Sequence, residues 1–105
     1  MAKITKLILV TAKDHPHHKL WLKLLDQLAE ELKVEKETRI EDYLLLTEHG
    51  DTDELGMPWL PQLLAEFDNG EIKVVLSRLP LNDSLQPDLG LALEAAKKRI
   101  TELTS

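Results

Sequence analysis

Three stretches of the sequence predict an α/β domain. The first is a continuous β-branched and apolar run, Ile4 to Val10. The second is a pair of segments, near 16–32 and 89–103, whose apolar residues recur at helical spacing. The third, lying between them, is an Asn-Gly turn flanked by alternating apolar residues. A chain of 105 residues with 43% hydrophobic content suits one domain, 1–105, built on a single core.

Residues Ile4 to Val10 (Ile-Thr-Lys-Leu-Ile-Leu-Val) read as a central parallel strand covered on both faces. The polar turn Thr11–His15 ends it, and Pro16 suits the first position of a helix, where a missing N–H breaks no hydrogen bond. His15 is then the expected N-cap, with Asp14 before it. Trp21, Leu24, Leu25, Leu28 and Leu32 follow at three- and four-residue intervals, with Lys23, Gln27, Glu30 and Glu31 on the opposite side. The stretch Glu35–Asp42 is highly charged. Beyond it, Tyr43-Leu44-Leu45-Leu46-Thr47 reads as a buried strand, while the capping box Thr38-Arg39-Ile40-Glu41 supports a helix from about residue 39 to His49 instead. An acidic, glycine-bearing loop, 48–56, leads to Met57-Pro58-Trp59-Leu60-Pro61. Residues 62–67 and 72–78 then form a hairpin around Asp68-Asn69-Gly70-Glu71. After the loop Leu79–Pro87, the residues Leu89, Leu93, Ala96, Ile100 and Leu103 mark one face of a closing helix.

Composition excludes several chemistries. There is no cysteine, so no disulfide, thiolate nucleophile, Cys-ligated zinc or iron–sulfur cluster is available. The net charge is −6 with pI near 5.1, and lysines and arginines are scattered among acids, which argues against nucleic acid as a partner. Apolar runs such as Leu7–Val10 and Leu44–Leu46 fall far short of the roughly 20 residues of a membrane-spanning helix. With no signal-peptide pattern at the N-terminus, a soluble cytoplasmic protein is expected.

The order of elements resembles the thioredoxin/glutaredoxin family, and three features carry the resemblance across nearly the whole chain. Asp14-His15-Pro16-His17-His18 lies where that family has Cys-x-x-Cys and is similar to a Cys-Pro-His-Cys motif with both cysteines replaced by His15 and His18. Leu60-Pro61-Gln62-Leu63-Leu64 resembles the Val-Pro-Gln or Val-Pro-Thr segment that opens the family's third strand with a cis-proline, Pro58 being a rival for that position. The Asn-Gly hairpin follows at the family's spacing. The resemblance implies a thioredoxin-like fold, a βαβ unit followed by a ββα unit, with a central mixed sheet flanked by helices. It also implies a reactive turn at residues 14–18, but imidazole cannot form a mixed disulfide, so dithiol oxidoreductase activity is excluded.

Two uses of a cysteine-free turn come from the residues. In one, His15 and His18, joined by His17 and His49 and approached by Glu48, Asp51 or Asp53, hold zinc, nickel or copper. In the other, the histidines are solvated, and the edge serves as a binding module for a protein or extended peptide, or for a second copy in a homodimer. The cis-proline loop that the resemblance implies would then offer backbone groups, and Asp14, Met57, Pro58, Trp59, Leu60, Pro61 and Gln62 would supply the surface. Trp59 reads equally as core or as surface anchor. The acidic run Asp51-Thr52-Asp53-Glu54 lacks the remaining ligands of a calcium loop. His15 with Asp14 could make a general base, but no placed nucleophile and no phosphate-cradling glycine loop accompany it, so no catalytic residue or cofactor is assigned. Binding is the function expected first, with metal binding or metal-assisted chemistry the alternative.

Overall fold

The apolar run near the start of the chain becomes β1 (Ile4–Thr11), which lies between β2 (Glu35–Ile40) and β3 (Gln62–Phe67) in a four-stranded sheet completed by β4 (Ile72–Leu76), in a computed structural model that describes residues 2–104. Its alternate residues serve two cores. Leu7 and Leu9 face α1 (His18–Leu32) and α3 (Leu89–Thr104), whereas Ile8 and Val10 face α2 (Tyr43–His49). From Leu7 onward both sides of β1 are thus dry, which is why this part of its sequence shows no polar alternation.

α1 buries Trp21, Leu24, Leu25, Leu28 and Ala29 against the sheet, while Leu32 ends the stripe at its exposed margin. Fully burying each such leucine contributes roughly 2 kcal/mol, enough to hold a helix that has no side-chain cap. The helix starts later than expected. His15 is not the N-cap, and Pro16 is not the first helical residue. The His15 N–H closes a turn on the Ala12 carbonyl, and the His18 N–H closes a second turn on the His15 carbonyl. Pro16 therefore occupies the second position of a turn, which its fixed φ suits as well as a helix start. His17 becomes the N-cap, with φ −106 and ψ 15.

The second strand also lies earlier than Tyr43–Thr47. β2 (Glu35–Ile40) runs parallel to β1, with Lys6 opposite Glu35 and Thr11 opposite Ile40. It is an edge strand, half solvated, and so can carry charge at four of its six positions. Residues 43–49 take the helical alternative, but their cap is Asp42, which accepts from the Leu45 N–H at 3.1 Å, and not Thr38, which is in β2.

β3 (Gln62–Phe67) pairs antiparallel with β1 and with β4 (Ile72–Leu76), which stops two residues short of the expected 78. Gly70, at φ +89, closes the hairpin onto the Phe67 carbonyl, a left-handed conformation that glycine adopts without strain. In α3 the buried residues are Ala92, Ala96 and Ile100, with Leu89, Leu93 and Leu103 packed beside them. The expected mixed sheet, with a βαβ unit followed by a ββα unit, is thus present. No helix among the described residues is long and apolar enough to cross a membrane.

Candidate functional site

The strand directions gather one end of the sheet into a site. β1, β2 and β4 finish there and β3 begins there, because Val10 pairs with Gln62 and Leu63 with Leu76. The turn 12–17, the loop 50–61 and the loop 77–88 therefore all project from one edge.

In the turn, the side chains are engaged locally. Thr11, fully buried, shares a hydrogen bond of 3.0 Å between Oγ1 and the His18 Nδ1. His15 Nδ1 accepts the His17 N–H at 3.0 Å, and the two rings tilt against each other at 5.8 Å. Burial lowers the His15 pKa, and the neighbouring His17 lowers it further, so this ring is neutral at physiological pH. With Nδ1 occupied in both His15 and His18, Nε2 is the ring nitrogen each has left to offer a ligand. His49 sits at the end of α2, its Nε2 3.8 Å from Glu48. Among the described residues, no group of three or more His, Asp or Glu converges as a metal-binding set. The structure does not bring His15, His17, His18 and His49 together into one.

The loop 50–61 is organised by Gln62. This side chain is completely buried, and its amide clamps the loop: Oε1 accepts the Asp51 N–H at 2.8 Å, and Nε2 donates to the Asp51 carbonyl at 2.9 Å and the Trp59 carbonyl at 2.7 Å. Gln62 thus shapes the edge from behind it. Pro61, preceded by a cis bond, is buried as well, which answers the choice between Pro58 and Pro61. Leu60 packs under the edge onto the α2 side of the sheet. Trp59 is half-buried; its indole N–H donates to the Ser77 carbonyl at 2.9 Å, and Arg78 lies 4.7 Å over the ring. Ser77 in turn donates to Asp51 at 2.6 Å. Pro58 is half-buried, whereas Met57 and Asp14 are exposed.

Beyond the stem, residues 52–58 form a tight finger closed by a Thr52–Pro58 bridge. The Asp53 carboxylate accepts the Leu55 and Met57 N–H groups, both at 2.9 Å, and Gly56 takes φ +80. The same construction recurs in residues 81–87. A Leu81–Pro87 bridge closes that finger, the Asn82 side chain accepts the Ser84 and Gln86 N–H groups, and Leu85 takes φ +58. Both fingers put leucine into solvent, Leu55 at 87% and Leu85 at 77% exposure.

Compared with known proteins, the chain matches no family model, no curated protein and no solved structure significantly. Its function must be argued from the edge itself. Of nine exposed large hydrophobic side chains among the described residues, eight lie on these loops, at the end of β2 or on the first turns of α2 and α3. Leu32, at the far end of α1, is the exception. Sequence reasoning found Met57 but missed Leu55, Leu81 and Leu85. The available signal was a lone leucine among turn residues, in Asp-Glu-Leu-Gly and Asn-Asp-Ser-Leu-Gln-Pro.

Proposed function

We propose that this chain is a cysteine-free, thioredoxin-like domain that binds a protein or extended peptide at the edge formed by the turn 14–18 and the loop 57–62. The observation that carries the reading is that eight of the nine exposed large hydrophobic side chains lie at the end of the sheet to which that edge belongs, with Met57 on the edge itself and Leu55 beside it. Large hydrophobic groups scattered singly over a surface call for no explanation, but a rim of them on one side marks an interaction surface. The strand order, with β1 flanked by a parallel and an antiparallel neighbour, and the placement of Pro61 beside the turn support the thioredoxin-like assignment. The absence of cysteine removes thiol exchange from such a fold and leaves recognition. Asp14, Met57 and Pro58 are the residues of this edge placed to touch a partner, and Trp59, Leu60, Pro61 and Gln62 hold them in position.

The test is selection of ligands from a random displayed-peptide library, followed by NMR mapping. Selected peptides should shift the amides of residues 12–18 and 55–60 and bind roughly tenfold more weakly to Met57→Ser, an exposed position whose truncation leaves the core intact. If no peptide is retained, or if the shifts cluster at the opposite end around Leu32, the reading is wrong.

A further inference from the structure

The second finger stands over a groove of about 450 Å³, bounded on its other side by the start of α3. Leu81 and Leu91 give the groove its apolar wall, and Asp83, Asp88 and Glu94 line it with carboxylates. Asp88 is engaged at the helix start, accepting the Leu91 N–H at 3.0 Å. Asp83 and Glu94 form no ion pair among the described residues, and residues 79–96 contain no lysine or arginine. Arg78, the cation just before them, is held over the Trp59 ring.

The first finger repeats this character. Residues 40–65, which contain it, carry six acids and no lysine or arginine, so this segment alone holds −6, as much as the whole chain. The two fingers spring from adjoining stems, tied by the Ser77–Asp51 and Trp59–Ser77 hydrogen bonds. Each offers leucine to solvent beside unpaired carboxylate, with Glu54 next to Leu55 and Asp83 near Leu85.

From this geometry we infer that the groove and the two fingers dock a segment of a partner protein that carries lysine or arginine among apolar residues. The inference rests on the binding reading above and specifies its partner. Apolar side chains of the segment cover Leu55, Leu81 and Leu85, and its cations meet Asp83 and Glu94. Charge complementarity selects this occupant over an acidic or neutral one, since like charges facing across a rim suppress the wrong partner.

Calorimetric titration of the full chain with three short peptides of equal length tests this. One combines leucine with lysine, one has glutamate in place of every lysine, and one has serine in place of every leucine. The leucine–lysine peptide should bind and should weaken about tenfold between about 0.05 and 0.3 M salt. The other two should bind at least tenfold more weakly. Asp83→Asn with Glu94→Gln should weaken binding about tenfold, as should Leu81→Ser with Leu85→Ser, while Leu32→Ser leaves it unchanged. Equal binding of the leucine–glutamate peptide overturns the inference while leaving the edge a binding site. So does failure of the leucine–lysine peptide to bind a chain whose edge still takes display-selected ligands. If selected ligands also fail, the binding reading falls with it. Self-association in sedimentation that Lys97→Glu with Lys98→Glu abolishes would make a second copy the occupant, which likewise overturns it.

Discussion

Gly50 and Gln62 decide whether the first finger has a fixed base. Gly50 has an ordinary φ of −90, so its need for glycine is steric. A Cβ there would lie 2.9 Å from Gln62 Oε1, from Leu46 Cδ2 and from the Leu46 carbonyl oxygen. That carbonyl already accepts the Gly50 N–H at 2.8 Å, so it cannot retreat without breaking the end of α2. Gly50→Ala should therefore cost about 1–3 kcal/mol, read as a lowered urea midpoint, and should shift amides throughout residues 51–59 as the Gln62 clamp is pushed aside. Gly56→Ala is the contrasting case. Its Cβ meets open space, and the cost, about 1 kcal/mol, comes from φ +80 alone, so its amide shifts should stay within the finger. Equal spread of the shifts in the two variants would mean that Gln62 does not organise the loop.

At the scale of elements, the two fingers share one backbone and differ where that backbone turns left-handed. The first uses Gly56, and the second places Leu85 there with φ +58 and a mostly exposed side chain. A leucine that buries little and strains its backbone is poor for stability, and the proposed partner contact would give it a use. Leu85→Gly should raise stability by about 0.5–1 kcal/mol in thermal or urea unfolding, because the left-handed penalty exceeds glycine's entropic cost, and should weaken peptide binding. A drop in stability would show that Leu85 packs on something in the fold. Legibility in the sequence followed how each element is buried. β1 was legible because both faces are dry, α1 and α3 because one stripe is, and the hairpin because Asn69-Gly70 forces a turn. β2 was hidden because an edge strand with charged faces has no apolar period, and three successive leucines in α2 fit strand or helix equally. Pro16 suited a turn as well as a helix start, which displaced the N-cap from His15 to His17. At the edge, exposed Met57 and Asp14 could be read, but the burial of polar Gln62 could not. Nor could the fingers' leucines, since isolated apolar residues among turn formers carry no period.

Across the whole molecule, the two faces of the sheet are unequally protected. α1 and α3 cover one face, whereas the other has α2, seven residues long, over Ile8, Val10 and Leu64. The part of that face beyond α2 is closed by a chain of charges: Lys6 donates to Glu37 at 2.9 Å, Arg39 donates to Glu37, and Arg39 donates to Asp42 at 3.1 Å. These contacts tie β1 to β2 and β2 to the cap of α2. The hydrogen bond from Lys6, and after it that from Arg39, holds the Glu37 carboxyl below its ordinary value of 4.5. The Leu45 N–H, and after it Arg39, similarly lowers Asp42. A carboxyl whose folded pKa lies below its unfolded one stabilises the fold above the unfolded value, and that contribution fades as pH falls through the folded one. Stability should thus be steady from neutrality down to about pH 5 and then decline, with Glu37→Gln flattening the decline in urea midpoints measured against pH. Because Glu37 and Asp42 secure β2 and α2 and have no part in the α1 and α3 layer, acid should loosen residues 35–49 first. Hydrogen exchange near pH 3 to 4 should find those amides losing protection while β1 and α1 keep theirs. Uniform loss across the sheet, or an unchanged acid slope in Glu37→Gln, would show that these charges decorate the face without securing it.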